Sequence, residues 1–257
     1  MRALGLAALT ILELPHHEQV SVAAHAGYSH VGLRLRPVAG QPVWHEIQVG
    51  EIEKRLADSG VRVLDVEVFR LEADTDVSVF ENTLELAGRL GASEILVHGA
   101  DADFDRMTRN FGRLCELAAQ YRLSANLEPM PWVEVSTVKK ALRVVELAGK
   151  KNGAVLVDAI HFFRAGSEFR DLSRAALRYA QFCDARPGVP SDMQEMIRQA
   201  RGDRLFPGEG ALDLHGLLAA LPAGLPLSLE VPVARKMAPL ERARTALAAT
   251  KRLLESG

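Results

Sequence analysis

Cysteine is scarce. Cys115 and Cys183 are the only two in 257 residues, and they are too far apart to form a Cys-x-x-Cys motif. That excludes a disulfide framework, and Cys115, on the apolar side of a helical pattern, reads as a core thiol. No apolar run approaches the ~20 residues that a membrane-spanning helix needs. The apolar stretch after Met1-Arg2 ends at Glu13 without a small-residue cleavage site, so no secretory leader is read and a cytoplasmic location is expected. Neither sign of charge prevails: 31 Lys and Arg stand against 33 Asp and Glu, a formal net charge of −2. No long charge run occurs, so no field recruits nucleic acid or an anionic membrane. The Gly-x-Gly-x-x-Gly signature of an open dinucleotide-binding sheet is also missing after the first strand.

What is present is a regular alternation. Hydrophobic residues make up 48% of the chain. Apolar runs read as strands at Leu4–Leu9, His30–Leu35, Val61–Phe69, Glu94–His98, Leu123–Glu128, Ala154–Asp158, Tyr179–Cys183 and Leu227–Val231. Such continuous runs suit parallel strands buried on both faces. Helical patterns fall at Glu51–Ser59, Asp76–Leu90, Phe104–Tyr121, Val135–Leu147, Leu212–Leu221 and Leu240–Leu254. In the third of these, Phe104, Met107, Phe111, Leu114, Cys115 and Ala118 recur at 3- and 4-residue steps. Eight βα units in a chain of this length predict one (β/α)8 TIM barrel over 1–257, since such barrels typically run to about 250 residues. Two connections are long. The stretch 184–212 carries a helix with Ser191 and Gln194 spaced as a capping box, then the turn Pro207-Gly208-Glu209-Gly210. The stretch 36–50 carries Pro37, Gly40 and Pro42.

The chemistry collects at the strand ends. Strand five ends on Glu128, strand six on Asp158, strand seven contains Gln181 and strand eight ends near Glu230. Each acid follows an apolar run, where an unpaired carboxylate is costly to bury. Three acids and an amide converging from adjacent strands call for a cation among them. With Gln181 bound through its carbonyl oxygen the donors are all oxygen, which favours manganese or magnesium over cobalt or zinc.

The chain resembles the xylose isomerase-like TIM barrel superfamily, the sugar phosphate isomerase/epimerase group, over nearly its whole length. The resemblance is carried by Leu127-Glu128-Pro129-Met130-Pro131-Trp132, Asp158-Ala159-Ile160-His161-Phe162, Gln181-Phe182-Cys183-Asp184-Ala185, Pro207-Gly208-Glu209-Gly210 and Glu230-Val231-Pro232. It implies one divalent metal ion held by Glu128, Asp158, Gln181 and Glu230. Ketose 3-epimerases of the group have His where this chain has Gln181, and some 3-dehydroshikimate dehydratases have Gln there. The resemblance also implies that Glu128 and Glu230 exchange a substrate proton and that His161 contacts or protonates substrate oxygen. Glu134 stands where epimerases carry a substrate-binding Glu, with a helix N-terminal acid as the alternative.

Further substrate-binding candidates are Arg34, His98, Trp132, Arg164, Arg186 and Glu209, with His16 and His17 behind them. Arginine suits a carboxylate or phosphate; the alternative for each is a salt bridge to an acid such as Glu67 or Asp184. The expected substrate is a small polyhydroxylated carbonyl compound, with an anionic group indicated by the arginines. No nucleic acid or membrane partner is expected, and a homo-oligomer is compatible with the sequence. The first functional expectation is an isomerase or epimerase of carbohydrate metabolism that works through a metal-stabilised enediolate. A lyase of the dehydratase type is the alternative, since it shares the first step. An endonuclease IV-like nuclease is a remote third, because it needs a histidine-rich three-metal site and a basic face. A catalytically dead binding barrel would have little reason to keep four ligand positions.

Overall fold

The computed structural model describes residues 2–38 and 44–256. Gly40 and Pro42 of the long 36–50 connection lie outside the described residues. Eight parallel strands close into a barrel in the order β1 to β8. They are β1 (Leu4–Leu6), β2 (His30–Arg34), β3 (Arg62–Leu71), β4 (Glu94–Gly99), β5 (Ser124–Glu128), β6 (Gly153–Asp158), β7 (Leu177–Phe182) and β8 (Leu227–Leu229). The helices are α1 (His16–Ala26), α2 (Val49–Ser59), α3 (Glu81–Arg89), α4 (Phe104–Gln120), α5 (Val138–Ala148), α6 (Ala159–Arg164), α7 (Phe169–Leu172), α8 (Met193–Gly202), α9 (Leu214–Ala220) and α10 (Pro239–Glu255). The chain is therefore the single (β/α)8 barrel that the alternation predicts. No helix of the described residues is long and apolar enough to cross a membrane.

The strand pattern divides the barrel into two layers. Val31 and Leu33, Ile95 and Val97, Ala125 and Leu127, Val155 and Val157, Ala180 and Phe182 all join the main apolar core. They pack outward against helices such as α4, which buries Met107, Phe111, Leu114, Cys115 and Ala118. Burying a side chain the size of Phe111 is worth ~1.5–3 kcal/mol, so this outer layer supplies most of the cohesion. The alternate strand positions then face the barrel axis. There Leu64, Val68, Leu96, Leu156 and Tyr179 form a separate small cluster, and most of the other inward positions are polar.

Three helices lie where no helix was read from the sequence. α1 begins at His16 and buries only His16, Gln19, Val20 and Ala23, so its apolar stripe is thin. α6 and α7 are a few residues each, too short to show a period. The capping of α8 also differs: Asp192, not Ser191, accepts the Gln194 and Glu195 amides. An Asp at that position caps as well as Ser, so the helix start is unchanged.

Candidate metal and active site

The mouth pocket at the C-terminal end of the strands is lined by, among others, Arg34, Glu67, Arg70, His98, Glu128, Trp132, His161, Arg201, Arg204 and Glu230. Asp158 and Gln181 lie alongside, paired in register at the ends of β6 and β7. All four expected ligands are buried, with relative exposures of 3% for Glu128, 1% for Asp158, 0% for Gln181 and 5% for Glu230.

Local structure fixes each of them. Asp158 closes β6 and also caps α6, accepting the Ile160 amide at 2.9 Å. The same turn brings His161 round to face Glu128, with Nε2 3.9 Å from Glu128 Oε1. The other Glu128 oxygen meets His98 Nε2 at 2.7 Å, and Trp132 stands edge-on to His161 with ring centroids 4.8 Å apart. Gln181 donates through Nε2 to Glu230 Oε1 at 2.9 Å. Its own Oε1 is buried and accepts no hydrogen bond from the described residues.

Burial dominates the electrostatics. It pushes Glu128 well above the usual carboxylate range, helped by Asp158 and Glu67 and opposed by Arg204. Burial also lowers His98 and His161 to about 3 each. The 2.7 Å contact between Glu128 and His98 therefore joins the carboxyl group to a neutral imidazole and is not an ion pair. At Asp158 burial acts upward too, but Arg204, His161 and the Ile160 amide outweigh it and hold the group below the usual value. Burial raises Glu230 well above its usual value, with Arg204 pulling the other way.

A divalent ion fits this donor set. Glu128, Asp158 and His161 offer ligand atoms within 4.8 Å of one another, and the orphaned Gln181 Oε1 is an amide oxygen without a hydrogen-bond donor. A buried polar atom left without a partner is costly, and a cation would satisfy it.

The other sequence candidates divide. Arg34, His98 and Trp132 line the mouth. Arg34 is bonded to Glu67 at 2.7 Å, both residues buried, which is the salt bridge weighed against a substrate contact. Four candidates lie away from the mouth pocket. Glu134 is exposed on the outer surface with Lys140 at 3.7 Å. Arg164 clamps the β7–α8 connection through Gly188 O, Arg186 O and Gln199 Oε1. Arg186 pairs with Asp203 at 2.6 Å. Glu209 is an exposed residue 3.8 Å from Arg235; the turn that carries it folds round the Asp184 carboxylate, which accepts the Gly208, Gly210 and Leu212 amides. His16 is buried against Trp44 with Nε2 on Arg34 O.

The 184–212 connection supplies two mouth residues that the sequence reading did not single out. Arg204, buried, bridges Asp158 Oδ2 and Glu230 Oε2 at 2.6 Å each. Arg201, in the last turn of α8, lines the pocket. Both lie in the connection marked only by its length.

Comparison with known proteins agrees with this architecture. Residues 20–253 match the family described as xylose isomerase-like TIM barrel. A 3-dehydroshikimate dehydratase of Pseudomonas aeruginosa is 28% identical over 200 residues, 70% of this chain and 31% of that protein. An inosose isomerase of Halalkalibacterium halodurans is 30% identical over 112 residues, 42% of this chain and 38% of that protein. The chain thus spans about a third of the length of these curated relatives. Among solved structures, an IolI protein with a bound zinc atom superposes with a TM-score of 0.80 at 17% identity, covering 99% of this chain and 98% of that one. An L-ribulose 3-epimerase gives 0.75 at 19% identity, covering 100% and 95%.

Proposed function

Because the chain belongs to the xylose isomerase-like TIM barrel family, we propose that it is a divalent-metal-dependent enzyme that removes a proton beside the carbonyl of a small polyhydroxylated, anionic compound, and that the outcome is loss of water. Glu128, Asp158, Gln181 and Glu230 would hold the ion, all through oxygen, which favours manganese or magnesium. When bound, the ion supplies Lewis-acid polarisation of the substrate carbonyl.

The observation that carries the reading is the one-sided arrangement of proton-handling groups. Glu128 lies between His98 at 2.7 Å and His161 at 3.9 Å. Glu230, on the other side, has one oxygen held by Gln181 and the other by Arg204. Epimerisation needs proton donor and acceptor on opposite faces of the reacting carbon. Elimination on one face needs them together. As a carboxylate Glu128 takes the proton, and His161 relays it from Glu128 to the departing hydroxyl oxygen, which leaves as water, so both groups return to their starting state. Trp132 closes the apolar side and limits water. Arg201, at the rim and without an ion-pair partner among the described residues, is available for the substrate's anionic group. The similarity to dehydratases supports the same outcome.

Isomerisation is the second reading, favoured by the similarity to an inosose isomerase; a single-face proton shuttle serves it equally well. Incubation with Mn²⁺ in D₂O against ketoses, ketose phosphates, inososes and 3-dehydroshikimate separates the two. Loss of 18 mass units, about one water, with a new ultraviolet-absorbing product from dehydroshikimate, is expected for the lyase. Solvent deuterium beside the carbonyl, with no loss of water from any substrate, would establish the isomerase instead.

A further inference from the structure

The proposed ligand cage holds three buried carboxylates, Glu128, Asp158 and Glu230, and one buried guanidinium is already fixed against two of them. Arg204 Nη1 reaches Asp158 Oδ2 and Nη2 reaches Glu230 Oε2, both at 2.6 Å. Its Nε donates to Ala200 O at 2.7 Å, and Nη1 also lies 3.4 Å from Cys183 Sγ. The backbone is pinned as tightly. Arg204 N donates to Pro232 O beyond β8, and the next residue, Leu205, exchanges two hydrogen bonds with Asp184 beyond β7. The guanidinium is therefore held by the ends of two strands and by α8, with 2% relative exposure.

We infer that Arg204 is a built-in counter-charge of the metal cage: a positioning residue that holds Asp158 and Glu230 in place before any ion arrives and lowers the cage's affinity for that ion. This rests on the reading of Glu128, Asp158, Gln181 and Glu230 as ligands. When its three carboxylates are ionised, as ligands to an ion must be, the cage with its one guanidinium carries two net negative charges, the complement of one divalent cation. A carboxylate has about four lone-pair directions, so an oxygen bonded to Arg204 still has capacity for a second cation. The two cations repel, and that repulsion weakens the binding of the ion. The benefit is a cage that keeps its shape when empty.

The test uses the full chain stripped with chelator, titrated with Mn²⁺ by calorimetry, and melted with and without Mn²⁺. Arg204→Met removes the charge at similar volume. Its metal-free form should melt at a lower temperature than the wild type. It should bind Mn²⁺ at least tenfold more tightly, and Mn²⁺ should raise its Tm by more than it raises the wild type's. Arg204→Lys, which keeps the charge but cannot span both carboxylates, should bind Mn²⁺ with near wild-type affinity. It serves as the decisive variant if Arg204→Met does not fold, and a tenfold tighter Arg204→Lys would then overturn the charge argument. Equal Mn²⁺ affinity in wild type and Arg204→Met would overturn the inference while leaving the metal site standing. Absence of Mn²⁺ binding by the wild type and by both variants would overturn the metal reading itself, and this inference with it.

Discussion

Two levels along the barrel axis hold buried acids and tolerate them in opposite ways. At the mouth, Glu67 is paired with Arg34, while Asp158 and Glu230 are paired with Arg204. Deeper along the same strands lie Asp65 and Glu94, where no cation is bonded. Neither oxygen of Asp65 has a hydrogen-bond partner among the described residues, and Asn126 Oδ1, Tyr179 Oη and Ser228 Oγ are equally bare. Burial, reinforced by Glu67 and Glu230, pushes Asp65 well above the carboxylate range. At the mouth a guanidinium therefore opposes the effect of burial, holding Asp158 below its usual value and pulling against the rise at Glu128 and Glu230, whereas in the deeper layer burial raises Asp65 and Glu94 with no bonded cation against it. The proposed metal belongs at the mouth, where carboxylates already matched by a guanidinium converge with the bare amide oxygen of Gln181.

The largest expected effect lies in the mouth. Asp158→Asn and Glu230→Gln keep shape but remove a charge from the ligand set, and each also strips Arg204 of a partner. Turnover should fall below detection and stoichiometric metal should be lost, with the circular dichroism of a folded barrel retained. Full metal content with normal turnover in both would remove the distinction between the layers. Next comes His161→Ala. Loss of a general acid costs ~10²–10⁴-fold in rate, and as a proton donor His161 should show that loss in kcat. A change confined to KM would make it an orienting contact instead.

How much of this was legible beforehand follows from the same geometry. The acids at the ends of β5, β6 and β8 were readable because a strand that is apolar on both faces ends visibly when a charge appears. The closed barrel followed from eight such runs. Arg204 was not readable, since a loop residue gains its meaning only from where the loop returns, and here Leu205 pairs with Asp184 across the strand ends. Arg36 shows the converse case. Strict alternation along an extended strand would put it on the same side as Arg34, but β2 ends at Arg34 and Arg36 stacks over Phe80 at 4.4 Å. Arg164 and Arg186 come after strand ends in sequence, yet are engaged by the 184–212 connection, and Glu209, within that connection, faces Arg235. Sequence distance from a strand marks when a residue leaves the sheet, not which way it turns.

The smallest effect belongs to the deeper layer and reads out as pH dependence. Burial raises Glu94 to about 7, against an ordinary value of 4.5, while the hydrogen bond from Asn126 Nδ2 opposes the shift. Between those two pH values the folded chain keeps a proton on Glu94 that the unfolded chain has released. The contribution of this protonated acid is thus fully present below pH 4.5 and is lost as pH rises through 7. Its whole span is about 3 kcal/mol. In Glu94→Gln the amide oxygen can still accept from Asn126, and the side chain never ionises. Because the amide replaces a neutral acid of the same shape, the variant should match the wild type to within ~1 kcal/mol at low pH, and gain on it steadily as pH rises. Urea unfolding at about pH 5 and pH 8, one on each side of the proton's release, measures the change in that gap. Parallel stability profiles for the two proteins would mean that Glu94 is ionised in the fold, and that the deeper layer tolerates its acids by some means other than protons.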